Sequence, residues 1–245
     1  MSLIKITSPT SEIAGKYQPH PEAKALLQPT QTPTQYTDAL QKGSFSQDHI
    51  HFLAHGMPER ESVGWACKSS AKVSDKLEPA DKSALGAAQE WVKNPTPANK
   101  AAAAAAVAKT NYQGPGAWAA QGAAWSKTPG APAAGAPPNL TGHAVAGSVM
   151  LAAAKSAPKA PAIQPPSLQA PAAPAMPKAP AMPTAPKVPS LQKPQVAMPK
   201  APAVSPPSPP SPPPAPLAQR VETAKIHQPF IDMGHGIASG QHPFI

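Results

Sequence analysis

Cysteine is almost missing from this chain: Cys67 is the only one in 245 residues. No disulfide can close within one chain, and no cage of thiolates can hold a metal. That usage fits a reducing compartment, and a cytoplasmic location is the expectation. Aromatic residues make up 4 % and charged residues 13 %, so large side chains for a core are scarce. β-Branched and aromatic residues never alternate over a useful length, which argues against strands. Residues 1–6 lack the basic segment and apolar run of a secretory signal. The longest apolar-looking stretch, 144–154, falls short of the ~20 residues that a bilayer-spanning helix needs, so no membrane insertion is expected.

Proline, by contrast, is abundant. Each of the 38 prolines fixes φ and removes a backbone donor, so most must lie outside packed helices. Twenty-two of them fall between Ala157 and Pro216. This segment repeats Ala-Pro-Ala-Met-Pro-Lys-Ala-Pro and closes on Ser-Pro-Pro units. It has no periodic apolar face to offset its ordering entropy. The organisation expected is a helical domain over 1–156, a disordered Pro/Ala/Lys-rich tether over 157–216, and a helical segment over 217–245 that packs back on the domain.

The formal charge of +9 raises the question of nucleic acid. Five of the positive charges, Lys159, Lys178, Lys187, Lys193 and Lys200, are strung along the tether. They have no aromatic residue among them for base stacking. No nucleic-acid partner is expected. Attraction of the tether to acidic polymers is the electrostatic alternative, and it would collapse with salt.

Helix-start punctuation recurs through the first 156 residues, with proline at or next to the first helical position. Ser8-Pro9, Thr32-Pro33, Met57-Pro58, Glu78-Pro79 and Thr96-Pro97 fit. Gly56 is expected to close its helix as a left-handed cap. The map that follows has helices near 9–15, 21–28, 33–42, 47–55, 58–73, 79–93, 97–109, 115–126 and 141–155. Ile50, Leu53, Ala54 and Met57 share one face of the fourth helix, with His51 and His55 on its flank. Val63, Ala66, Cys67, Ser70 and Val73 share a face of the fifth, and Trp65 points the other way. Helices built from Ala and Gly approach closely, so Trp65, Trp91, Trp118 and Trp125 supply the bulk of the core. Beyond the tether, Leu217, Val221 and Ala224 mark one stripe, and Phe230, Met233 and Ile237 mark another behind Pro229. The fold class expected is all-α: an Ala-rich multi-helix bundle with its Pro-rich insertion before C-terminal helices. Its core residues would include Trp65, Cys67, Trp91, Trp118, Trp125, Phe230 and Ile237.

Sites are harder to find. His51 and His55, at i and i+4 with His49 near, could face one divalent metal ion. They lack the intervening glutamate of a zinc protease and an evident third ligand. Cys67 could be a nucleophile if a histidine stood beside it, but its apolar face suits a small buried thiol better. Arg60 and Glu61 open a helix and are candidates for a protein contact; an intradomain ion pair is the plainer reading. No catalytic or cofactor-binding constellation emerges.

Several segments together resemble a family of bacterial helical domains commonly encoded near type VI secretion loci. Phe52-Leu53-Ala54-His55-Gly56-Met57-Pro58-Glu59-Arg60-Glu61-Ser62-Val63-Gly64-Trp65-Ala66-Cys67 is similar to its FLA-x-x-LP-x-RE-x-V-x-WAC signature. Trp91-Val92, Trp118, Trp125-Ser126, 140–152 and 230–238 echo it further. Gly64 stands where that family often has a second aromatic. The resemblance implies a helical fold and a genomic setting but no activity. The function expected is a non-enzymatic helical adaptor, possible partners being secretion-system components. The alternatives are a small metal- or thiol-dependent enzyme using His51, His55 and Cys67, and the electrostatic binder named above.

Overall fold

A computed structural model describes residues 2–128, 139–158 and 216–243. The tether expected over 157–216 lies almost wholly outside them. The helices run in the order α1 (Thr10–Ala14), α2 (Pro21–Ala25), α3 (Pro33–Lys42), α4 (Ser46–Gly56), α5 (Glu59–Ala71), α6 (Pro79–Lys93), α7 (Pro97–Val107), α8 (Pro115–Trp125), α9 (Leu140–Ser156) and α10 (Leu217–Ala238). No strand occurs among the described residues, and the all-α expectation holds.

Local chemistry accounts for the boundaries. Thr32 accepts from the Gln35 N–H at 3.2 Å, and the Gln35 side chain accepts from the Thr32 N–H at 2.9 Å. This reciprocal capping box opens α3 ahead of Pro33. The Thr96 hydroxyl likewise accepts from the Asn99 N–H and opens α7. The start of α8 is capped from a distance. The Asp81 carboxylate, buried on α6, accepts from the Gly116 and Ala117 N–H groups at 3.3 and 2.6 Å. A negative charge there meets both the free donors and the positive end of the helix dipole. A Cβ at Gly114 would lie 2.1 Å from that carboxylate, so this approach requires glycine.

α5 lies at the centre, against α6, α8, α9 and α10. Its Val63, Ala66, Cys67 and Ser70 are buried, as is Val73 just beyond its end. Trp65, on the other side, is fully buried and donates from Nε1 to the Phe230 carbonyl of α10 at 2.9 Å. α8 packs through Ala117, Ala119, Ala120 and Ala123. Even a methyl group at Gly122 would reach van der Waals contact with Val63 and Val145. Hydroxyls tie these helices where alkyl groups are short: Ser70 pairs with Ser148 at 3.1 Å, and Ser148 donates to the Pro115 carbonyl at 2.7 Å.

Three expectations are corrected. Gly56 is the last residue of α4 and is not left-handed; Met57 leaves the helix in an extended conformation. Gly56 is small for another reason, since a Cβ there would press on Ile6 and Ile13 at 3.1 to 3.2 Å. The C-terminal stripes belong to one helix, α10, with Pro229 inside it. Pro229 is exposed, so the helix runs through it with the ring on its outer side. Trp118 and Trp125 are only half-buried, unlike Trp65 and Trp91. Trp118 lies at an edge, donating to the Tyr112 carbonyl at 2.8 Å and meeting the Tyr112 ring edge-on.

Candidate functional site

α4 carries three histidines in seven residues, and its neighbours divide them into two groups. His49 is buried on the side that receives α10, with its Nε2 2.7 Å from Nε2 of His235. One turn earlier, Ser46 Oγ pairs with Nδ1 of His227 at 2.9 Å. Burial holds His227 and His235 below the usual imidazole range and pushes His49 down to about 3, the nearby His235 adding to the effect.

His51 and His55 face the opposite group of elements. Their rings are nearly parallel, 6.1 Å apart, as the i, i+4 spacing of a helix dictates. The Tyr17 ring stacks on both, at 5.4 and 5.7 Å. His143, in the first turn of α9, closes the group edge-on, 5.7 Å from His51 and 4.6 Å from His55. Each of the three histidines offers one ring nitrogen, and these lie within 4.8 Å of one another. The group grades outward from buried His55 through half-buried His51 to exposed His143.

The electrostatics keep the His51 and His55 rings uncharged. Desolvation first, and then the charge of His143, push His51 down to about 4; the same causes, with His51 and Lys16 added, push His55 down to about 3. Nδ1 of His51 and Nε2 of His55 are buried without a hydrogen-bond partner. A Cβ at position 142 would fall 2.2 Å from Nδ1 of His55, so Gly142 makes room for that ring.

His143 is the third member of the group, and sequence reading missed it. It stands 88 residues from His55, and its own surroundings, Thr-Gly-His-Ala, carry no spacing signal; only the packing of α9 on α4 brings it in. Cys67 takes no part in this group. It is 3 % exposed, and burial raises its thiol to about 12, the opposite of what a nucleophile needs. Arg60 turns inward, donating to the Val92 and Lys93 carbonyls at 2.7 and 2.9 Å and so closing the C-terminus of α6. Glu61 pairs with Lys5 at 3.6 Å. Both side chains thus make contacts within the domain. Lysines are partly spent on structure as well: Lys76 and Lys100 donate to the carbonyls of Lys155 and Ser126 at the ends of α9 and α8.

Among the described residues no helix is long and apolar enough to cross a membrane. No curated protein and no solved structure matches the chain. The model of a family of unknown function, DUF6931, matches residues 36–182, a span that includes His51, His55 and His143 and leaves α10 outside. Since the match takes in more than half of the sequence, the chain belongs to the DUF6931 family.

Proposed function

We propose that the protein is a non-enzymatic helical accessory module that binds a protein partner, with the proline-rich sequence between α9 and α10 as its docking strip or spacer. One observation carries the reading. α9 and α10 both pack on α4 and α5, so a 22-residue helix with a buried face resumes the same body after 60 intervening residues. Both ends of the proline-rich sequence are thus anchored on one body, and sequences with P-x-x-P units dock on aromatic grooves at low entropic cost. A thiol enzyme is disfavoured by the burial of Cys67.

The finer setting, a bacterial type VI secretion apparatus, is supported only by the resemblance of 52–67 and its echoes. The single cysteine supports a cytoplasmic location. The test is affinity capture from cells with the full chain and with residues 157–216 deleted. A partner held at fixed ratio by the full chain and lost on deletion is the expected result; equal capture by both would remove the docking role. Secretion-system components in the captured set would support the setting. Binding to acidic polymers that vanishes at high salt, with no protein partner, would favour the electrostatic alternative.

A further inference from the structure

We propose that His51, His55 and His143 form a binding site for a single divalent transition-metal ion of the zinc class, a role beyond the adaptor reading above. Two independent features point to it. The first is convergence: three imidazoles from two helices offer nitrogens within 4.8 Å of one another. The second is a missing partner. His55 is 8 % exposed, yet its Nε2 bonds to nothing, and Nδ1 of His51 is in the same state. Buried polar atoms are nearly always paired, and each unpaired one destabilises the fold unless something satisfies it. A cation shared by these rings would satisfy both.

The donor set selects the ion. Imidazole nitrogens suit zinc, nickel, copper and cobalt, while magnesium and calcium require oxygen donors. Zinc–nitrogen bonds of about 2.0–2.1 Å in a tetrahedral field place donors about 3.3 Å apart. The group must therefore tighten from its present spread, and its members differ in their freedom to do so. His55 is fixed by the Tyr17 ring and by the clearance at Gly142. His143 is exposed and edge-on, so its side chain can swing onto an ion seated by the α4 pair. Three protein ligands leave one coordination position on the solvent side for water or an outside donor.

The occupied site would cross-link α4 to the first turn of α9. That turn has no side-chain cap, since its N-cap residue Asn139 is left-handed and makes no capping bond. An ion bound only by the folded form stabilises it by mass action.

The experiment is titration of the full-length chain with Zn²⁺ alone by calorimetry, with Co²⁺ as the spectroscopic probe. One equivalent of Zn²⁺ per chain, and visible Co²⁺ absorption of tetrahedral intensity, are expected. Because His55→Gln could impair folding, the deciding variants are His143→Gln, at an exposed position, and His51→Gln. Each should weaken Zn²⁺ binding by about tenfold or more, the scale on which disturbing a metal's surroundings acts, while the helical circular dichroism stays unchanged. The proposal is overturned if the full chain takes up no stoichiometric Zn²⁺, or if both variants bind it as tightly as the parent. The pull-down above reads neither quantity, so either proposal can fail alone.

Discussion

Asp81 and Gly142 show how single side chains set the geometry of elements far away in sequence. The Asp81 carboxylate accepts from the first free N–H groups of α8, and the site is buried. Removing it in Asp81→Ala leaves donors with neither protein nor water, which typically costs about 1–3 kcal/mol. For a domain of this size a loss of 1 kcal/mol lowers the melting temperature by about 2–4 °C, so calorimetry should register a drop of several degrees, with Asp81→Asn intermediate. Gly142→Ala acts by steric force. Its methyl group would enter the Nδ1 position of His55, a ring already held against Tyr17. Overpacking of this kind costs about 1–3 kcal/mol. The variant should melt lower than the parent, and a Zn²⁺-dependent rise in melting temperature should shrink with it. An unchanged melt for either variant would contradict the contacts described.

At the scale of elements, α10 is the helix whose attachment depends on pH. Its contacts with α4 include two histidine bonds, His235 to His49 and His227 to Ser46. A bond between two ring nitrogens needs one donor and one acceptor, so it exists only while at least one imidazole is neutral. The groups facing the pair are Asp232 on α10 and Asp38 on α3, whose charges favour protonation of His235 without overcoming its burial. The sign follows from linkage. The unfolded chain binds protons near the ordinary imidazole value, and the folded chain binds them only at lower pH, towards about 3 for His49. Stability is therefore complete at pH 7 and above and declines as pH falls below about 6.5, by up to about 1.4 kcal/mol per pH unit for each buried imidazole. Urea unfolding at steps from pH 7.5 to 4.5 measures it. A profile flat across that range would show that these rings are not held neutral. Amide exchange should find 227–238 the first segment to lose protection on acidification.

The whole molecule explains what could and could not be read along the chain. Helix starts were legible because proline and capping side chains act within one turn. α3 and α6 begin and end where Thr32-Pro33 and Glu78-Pro79 and the apolar spacing place them. The apolar face of α4 was legible for the same reason. His143, the Asp81 cap and the unbroken course of α10 through Pro229 were not, because each depends on which surface another element covers. The bundle itself supplies the last test. α10 buries Phe230, Ile231 and Ile237, and full burial of such side chains contributes about 1.5–3 kcal/mol each. Together they approach the whole net stability of about 5–15 kcal/mol typical of a domain. Without α10, Trp65 would lose its acceptor and Leu53 its cover at Gly234. A chain ending at residue 158 should thus melt far below the parent or lose its cooperative transition. Replacing 159–214 by a Gly/Ser sequence of equal length should leave the melt within a few degrees, because loop-closure entropy depends weakly on length and not on these side chains. Addition of a peptide covering 216–243 to the truncated chain should restore the transition, with a melting temperature that rises with the logarithm of peptide concentration above its Kd. A truncated chain that melts like the parent would mean that α10 is not part of the folded core.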